Sequence, residues 1–178
     1  MQAIIFGAGK IARGFIGHLL NLSGIPFTFV EVNVGLVDLL NKAGRYHIEV
    51  MGNPARNVDI TGVRAIRLDD YEAVAEAWAG APLAFTCVGG KNLESLAGHL
   101  AEIIQLRQRR TPANATTNLI TCENWKEPAA LLRTKIAERL PEASARVEAQ
   151  SNQHAGDPQE ERRWRCGAFH AETGIVTN

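Results

Sequence analysis

Short apolar runs alternate with longer stretches in which apolar side chains recur every three or four positions, a rhythm that predicts strands and helices of a parallel α/β domain. "QAIIF" reads as a buried strand. Ile11 to Leu22 follows as a helix with Ile11, Phe15, Leu19 and Leu22 on one face, and Gly24 stands where a helix ends. "PFTFVEV" is the second strand, with Pro26 tolerated at its first position, and "GLVDLLNKAG" is the second helix, closed by Gly44. Then the period changes. In "RYHIEVMG" Tyr46, Ile48 and Val50 face opposite to His47, Glu49 and Met51, and further β-like pieces follow in "NVDITGVRAIRL", so a small antiparallel excursion is expected after the second helix. The winding resumes with "DDYEAVAEAWA" as a helix capped by Asp69 or Asp70, and with "PLAFTCV" as a buried strand. A helix from about Leu93 to Gln108 carries the stripe Leu93, Leu96, Leu100, Ile103 and Ile104. "NLITC" is the next strand. Pro128 opens a last helix at the position where a missing N–H costs nothing, with Leu132, Ile136 and Leu140 turned to the sheet.

Beyond Val147 the periodicity stops. "EAQSNQHAGDPQEERRWRCG" is polar and aperiodic, which divides the chain into a domain over residues 1–147 and a divergent polar tail or linker over 148–178 with room for one short edge strand. Length agrees, since 178 residues suffice for one ordinary domain and an appendage.

Charge narrows the partners. Nineteen basic residues balance nineteen acidic ones, so no global field draws the chain to nucleic acid or to an anionic membrane. Arg107, Arg109 and Arg110 are expected at a helix end, facing water. Three cysteines, Cys87, Cys122 and Cys166, are odd in number and far apart in sequence, which fits reduced, buried thiols inside a cell. With no basic leader followed by an apolar segment, and no stretch near ~18 apolar residues, a cytoplasmic protein is expected. The five histidines are scattered, and His154, Cys166 and His170 match no standard ligand spacing, so no metal is expected.

The chemistry begins in "FGAGKIARGFIGHLL". Gly7, Gly9 and Ala12 spell G-x-G-x-x-A between a predicted strand and a predicted helix, the context that gives this fingerprint meaning and points to a Rossmann-type, doubly wound, mostly parallel sheet. Gly7 permits the turn, Gly9 lets backbone approach a pyrophosphate, and Ala12 lets the helix pack close. Ala8, Lys10 and Ile11 complete the loop whose N–H groups and helix dipole face the phosphates. Glu31 ends the second strand about twenty residues on, where a carboxylate binds ribose hydroxyls and repels a 2′-phosphate. NAD is therefore favoured over NADP. Ligands of such sheets lie beyond the strand ends. Those ends supply Gly89 and Gly90 in "TCVGGKN" and Glu123 and Asn124 in "TCENW", the latter pair open also to a reading as a helix cap.

In their order and spacing, "FGAGKIARGFIGHLL", "VEVN", "TCVGG" and "TCENW" resemble the N-terminal half of the polyol-specific long-chain dehydrogenases, the mannitol dehydrogenase family, over Met1 to Val147. That family's usual fingerprint has glycine where Ala12 stands and asparagine where Lys10 stands. The resemblance implies hydride transfer between NAD and the C5 carbon of mannitol 1-phosphate, giving fructose 6-phosphate. It places Asn124 beside the nicotinamide as a hydrogen-bond donor to the developing alkoxide, with Glu123 shaping that corner, and Gly89, Glu123 and Asn124 are expected to contact the cofactor. It also implies a polyol or sugar phosphate held by a C-terminal half, whose general base is the lysine of a K-x-x-x-x-N-x-x-H segment. No lysine here fits that pattern. The expectation is thus a cofactor domain without its catalytic half, inactive alone. The alternative, from a different class, is a non-catalytic NAD-binding sensor or interaction module.

Overall fold

A computed structural model describes residues 1–111, 117–140, 170–171 and 174–176, the last two stretches as backbone. The first strand, β1 (Ala3–Phe6), is buried along its whole length, as a central strand covered on both faces must be. A π-helical turn, Ala12–Ile16, leads into α1 (Gly17–Leu22), then β2 (Phe27–Glu31) and α2 (Val34–Ala43), which Gly44 closes in the left-handed conformation at φ 59°. Next come β3 (Arg45–Ile48), β4 (Val58–Thr61), β5 (Arg64–Arg67), α3 (Tyr71–Ala79) and β6 (Leu83–Thr86). The long α4 (Leu93–Gln108), β7 (Thr117–Thr121), α5 (Pro128–Ala137), β8 (His170–Ala171) and β9 (Gly174–Val176) complete the order.

Five strands form a parallel sheet in the order β5-β2-β1-β6-β7, and β3 pairs antiparallel with β4 outside it. The antiparallel excursion lies where the alternation in "RYHIEVMG" predicts it. Because the chain winds outward from β1 to β2 and β5 and then crosses to β6, the strand order reverses between β1 and β6. A crevice opens at their C-terminal ends. The expected edge strand is two short pieces, β8 antiparallel and β9 parallel to β7.

Helices cover both faces. On one, Ile4, Phe6, Val30 and Leu119 meet Trp78, Leu100 and Leu132 of α3, α4 and α5, with Phe6 and Trp78 edge to face at 5.2 Å. On the other, Ile5 and Phe29 meet Ile16, Leu20, Val37, Leu40 and Ile60. The stripe expected on α4 is wholly buried, and so are Leu132, Ile136 and Leu140. Among the described residues no helix is long and apolar enough to cross a membrane.

Two sequence expectations fail. Ile11, Phe15, Leu19 and Leu22 share a face, but it is the outer one, 47–65% exposed. The helix packs through Ala12, Ile16, Gly17 and Leu20 instead, with Ala12 and Gly17 small enough to let Ile16 and Leu20 reach the sheet. A Cβ at Gly17 would stand 2.4 Å from the Tyr46 hydroxyl, which donates to the Arg13 carbonyl at 3.0 Å and which burial pushes up to about 12. The second failure is Arg107. Rather than facing water, it is 2% exposed; its guanidinium lies 5.8 Å from the Trp78 ring centroid and Nε donates to the Trp78 carbonyl at 3.3 Å. Arg110 behaves as the sequence suggests, exposed and paired with Glu72.

The cap of α3 is Asp70, whose Oδ1 accepts from the Ala73 N–H at 3.1 Å, while Asp69 pairs with Arg67. Asp70→Ala is expected to cost about 1 kcal/mol. Thermal melts should show the midpoint falling a few degrees for Asp70→Ala and holding for Asp69→Ala; equal shifts would contradict the assignment.

Candidate functional site

The crevice at the strand reversal is a cleft of about 370 Å³. Gly7 and Gly9 after β1, Glu31 at the end of β2, Leu68 after β5, and Cys87 and Val88 after β6 line it. Gly7, Gly9 and Glu31, singled out in the sequence, are among the residues that line it. Gly7 has φ 95°, and a Cβ there would lie 2.5 Å from the Cys87 carbonyl oxygen, so both conformation and contact require glycine. Gly9 differs in kind: an added Cβ would meet no atom within 4 Å, and the space over it is open. Ala8 and Ala12 are fully buried beneath the loop, while Lys10 and Ile11 are exposed.

Glu31 is held by backbone. Its Oε2 accepts from the Ala8 N–H at 2.7 Å, and its Oε1 from the Val32 and Asn33 N–H groups at 2.8 and 3.0 Å. The carboxylate thus links the glycine loop to the β2 turn, at the wall of the cleft. Such charge-assisted bonds fix its position without consuming all of its acceptor sites.

Glu123 makes the corresponding clamp on the other side. The Val88 and Gly89 N–H groups donate to its two carboxylate oxygens, each at 2.8 Å, and Gly89 turns with φ 85°. The reading of Glu123 or Asn124 as a cap for α5 is not borne out: Glu127 occupies that position, at φ 47° and without a side-chain bond. Asn124 is exposed beside this corner. Trp125, half exposed, lays its ring on Gly90, where a Cβ would be only 2.4 Å from the ring.

Other lining residues escaped the sequence reading. Asn92, Ser95, Leu96 and His99 present one face at the start of α4, and His99 Nδ1 shares a 2.8 Å hydrogen bond with the Tyr71 hydroxyl. The signal was present. Positions 92, 95, 96 and 99 follow helical spacing at the first helix after the strand reversal, yet Leu96 served as core and masked the polar members of the row. Cys87 and Cys122, far apart in sequence, come together at the ends of β6 and β7. Among the described residues no group of three or more His, Cys, Asp or Glu side chains gathers as a metal site; His154, Cys166 and the His170 side chain lie outside them.

A mannitol dehydrogenase Rossmann-domain model matches residues 1–157. The chain belongs to the mannitol dehydrogenase family. Within it, the chain is 41% identical over 158 residues to mannitol-1-phosphate 5-dehydrogenase of Brevibacillus brevis, covering 89% of this chain and 40% of that protein. It is 37% identical over 161 residues to the enzyme of the same name from Lactiplantibacillus plantarum, again covering 89% and 40%. The chain thus spans about two fifths of the length of these mannitol dehydrogenase relatives. The fold also matches solved Rossmann-type structures at low identity. A putative 2-dehydropantoate 2-reductase of Enterococcus faecalis superposes with TM-score 0.52 at 13% identity, over 76% of this chain and 37% of that one. Glycerol-3-phosphate dehydrogenase of Coxiella burnetii gives 0.52 at 15% identity, over 78% and 37%.

Proposed function

We propose that residues 1–147 are the NAD-binding part of a mannitol-1-phosphate 5-dehydrogenase, working with a C-terminal catalytic part that supplies the base and the remaining substrate contacts. The observation that carries the cofactor choice is the placement of Glu31, a carboxylate fixed by three backbone N–H groups at the wall of a cleft whose floor is the glycine loop. The residues fit a dinucleotide. Open space over Gly9 and the start of the helix that follows suit a pyrophosphate, although the Gly7 and Ala8 N–H groups are already committed to the Val30 carbonyl and to Glu31, and Glu31 suits two ribose hydroxyls while repelling a 2′-phosphate.

NAD, when bound, supplies the hydride acceptor. The chain's own work is to hold and orient. Glu123 clamps the Val88–Gly89 turn and thereby sets the corner beside Asn124. Asn124 offers its amide N–H to the substrate oxygen as charge develops there, and Trp125 on Gly90 walls the same corner. The proton of the reacting hydroxyl needs a base, and an amide cannot accept it at neutral pH. Identity to two mannitol-1-phosphate 5-dehydrogenases supports that substrate over other polyols.

Calorimetric titration tests the cofactor choice. NAD should bind more tightly than NADP by roughly 1–2 kcal/mol, the scale of one charge repulsion at a partly exposed site, and Glu31→Ala should erase most of that difference. Equal affinities in the unsubstituted chain would refute the role of Glu31.

A further inference from the structure

Cys87 and Cys122 each stand one residue past the registered pair Thr86 and Thr121 on adjacent parallel strands. The ladder continues to that point, since the Cys122 N–H donates to the Thr86 carbonyl at 2.9 Å and the Cys87 N–H to the Phe6 carbonyl at 2.7 Å. Both side chains pack against the same hydrophobic cluster, on the same face of the sheet, and both thiols are free and half-buried. The two thiols lie close enough to titrate as a pair, and Cys87 lines the cleft.

We propose that Cys87 and Cys122 form a dithiol site that hydroperoxides oxidise reversibly to a disulfide, weakening nucleotide binding at the cleft. The effect on binding rests on the cofactor reading above. Neighbouring strands lie about 4.8 Å apart, inside the Cα window for a disulfide, so the bridge closes without moving either strand far. It does require the Cβ atoms to approach to about 3.8 Å, which draws the strand ends together. Those ends carry the Cys87 carbonyl against Gly7, and the Val88 and Gly89 N–H groups on Glu123, the residue after Cys122.

Contact with Cys122 and burial push the Cys87 thiol up, and contact with Cys87 holds the Cys122 thiol down, so the two titrate as a pair. One sulfur, as thiolate, takes one peroxide oxygen as the O–O bond breaks, giving a sulfenic acid and releasing the alcohol, or water from hydrogen peroxide. The other sulfur then attacks the sulfenic sulfur, the S–O bond breaks, and the oxygen leaves as water with the remaining protons. Two thiols lose two electrons and the hydroperoxide gains them.

The test uses the full chain, reduced, then treated with hydrogen peroxide, alkylated and mapped by peptide mass, with NAD titrated before and after. The expected map shows Cys87 joined to Cys122, and the expected NAD affinity falls roughly tenfold or more and returns with dithiothreitol. Cys122→Ser should abolish both the bridge and the peroxide-dependent change. Full alkylation of both cysteines after peroxide, a bridge from either to Cys166, or a Cys87–Cys122 bridge with unchanged NAD affinity would each overturn the proposal. A reduced chain that binds no NAD would instead count against the cofactor reading, and the peptide map would still decide the bridge.

Discussion

Purified alone and mixed with NAD and mannitol 1-phosphate, the 178-residue chain is expected to leave the NADH absorbance flat. Hydride can leave C5 only as the hydroxyl proton goes to a base, and general-base catalysis contributes about 10²–10⁴-fold in rate. No lysine here stands in the K-x-x-x-x-N-x-x-H pattern, and Asn124 has no proton acceptor to offer at neutral pH. Fusion to the C-terminal portion of the Brevibacillus brevis relative should produce activity, and Asn124→Ala in that fusion should lower kcat by roughly 10²-fold. Turnover by the unfused chain that disappears in Asn124→Ala would show that the chain carries its own base.

The second large effect separates two glycines of one motif. Gly7→Ala places a Cβ 2.5 Å from the Cys87 carbonyl and forces φ 95° on a residue that resists it, with backbone on both sides of the contact. A loss of about 3 kcal/mol or more is expected, a large fraction of the roughly 5–15 kcal/mol that holds a domain folded. Gly9→Ala meets nothing within 4 Å, so its denaturation midpoint should match the parent within about 0.5 kcal/mol. Its NAD affinity should nonetheless collapse, because the new methyl occupies the space over the loop. Chemical denaturation and calorimetry on the two variants check this. A stable Gly7→Ala, or a Gly9→Ala that binds NAD normally, would contradict the division of labour.

The residues that were legible in sequence are those whose place is set locally. Gly44 and Pro128 bound their own helices, and Gly7 and Glu31 stand at the ends of their own strands, each where the pattern places it, while the Cys87 carbonyl against Gly7 and the Ala8 N–H on Glu31 come from distant positions. The α4 stripe was legible because a long helix between two strands must bury one face. What the sequence misread depends on neighbours distant in the chain. The first helix offers two plausible faces, and the wholly large apolar one lost to a face that mixes Ala12 and Gly17 with Ile16 and Leu20, because close packing on the sheet decides, not side-chain size. Arg107 looked like a solvated helix end until the carbonyl and ring of Trp78, on another helix, gave it a place inside. The Glu123 clamp and the Cys87–Cys122 contact needed the β6–β7 register, which no spacing along the chain reveals.

The most direct test of the central claim is a crystal structure of this chain grown with NAD. The expected density places the pyrophosphate over Gly9 and both adenosine ribose hydroxyls within hydrogen-bond reach of Glu31. Nucleotide density elsewhere on the molecule, or a ribose turned away from Glu31, would contradict it.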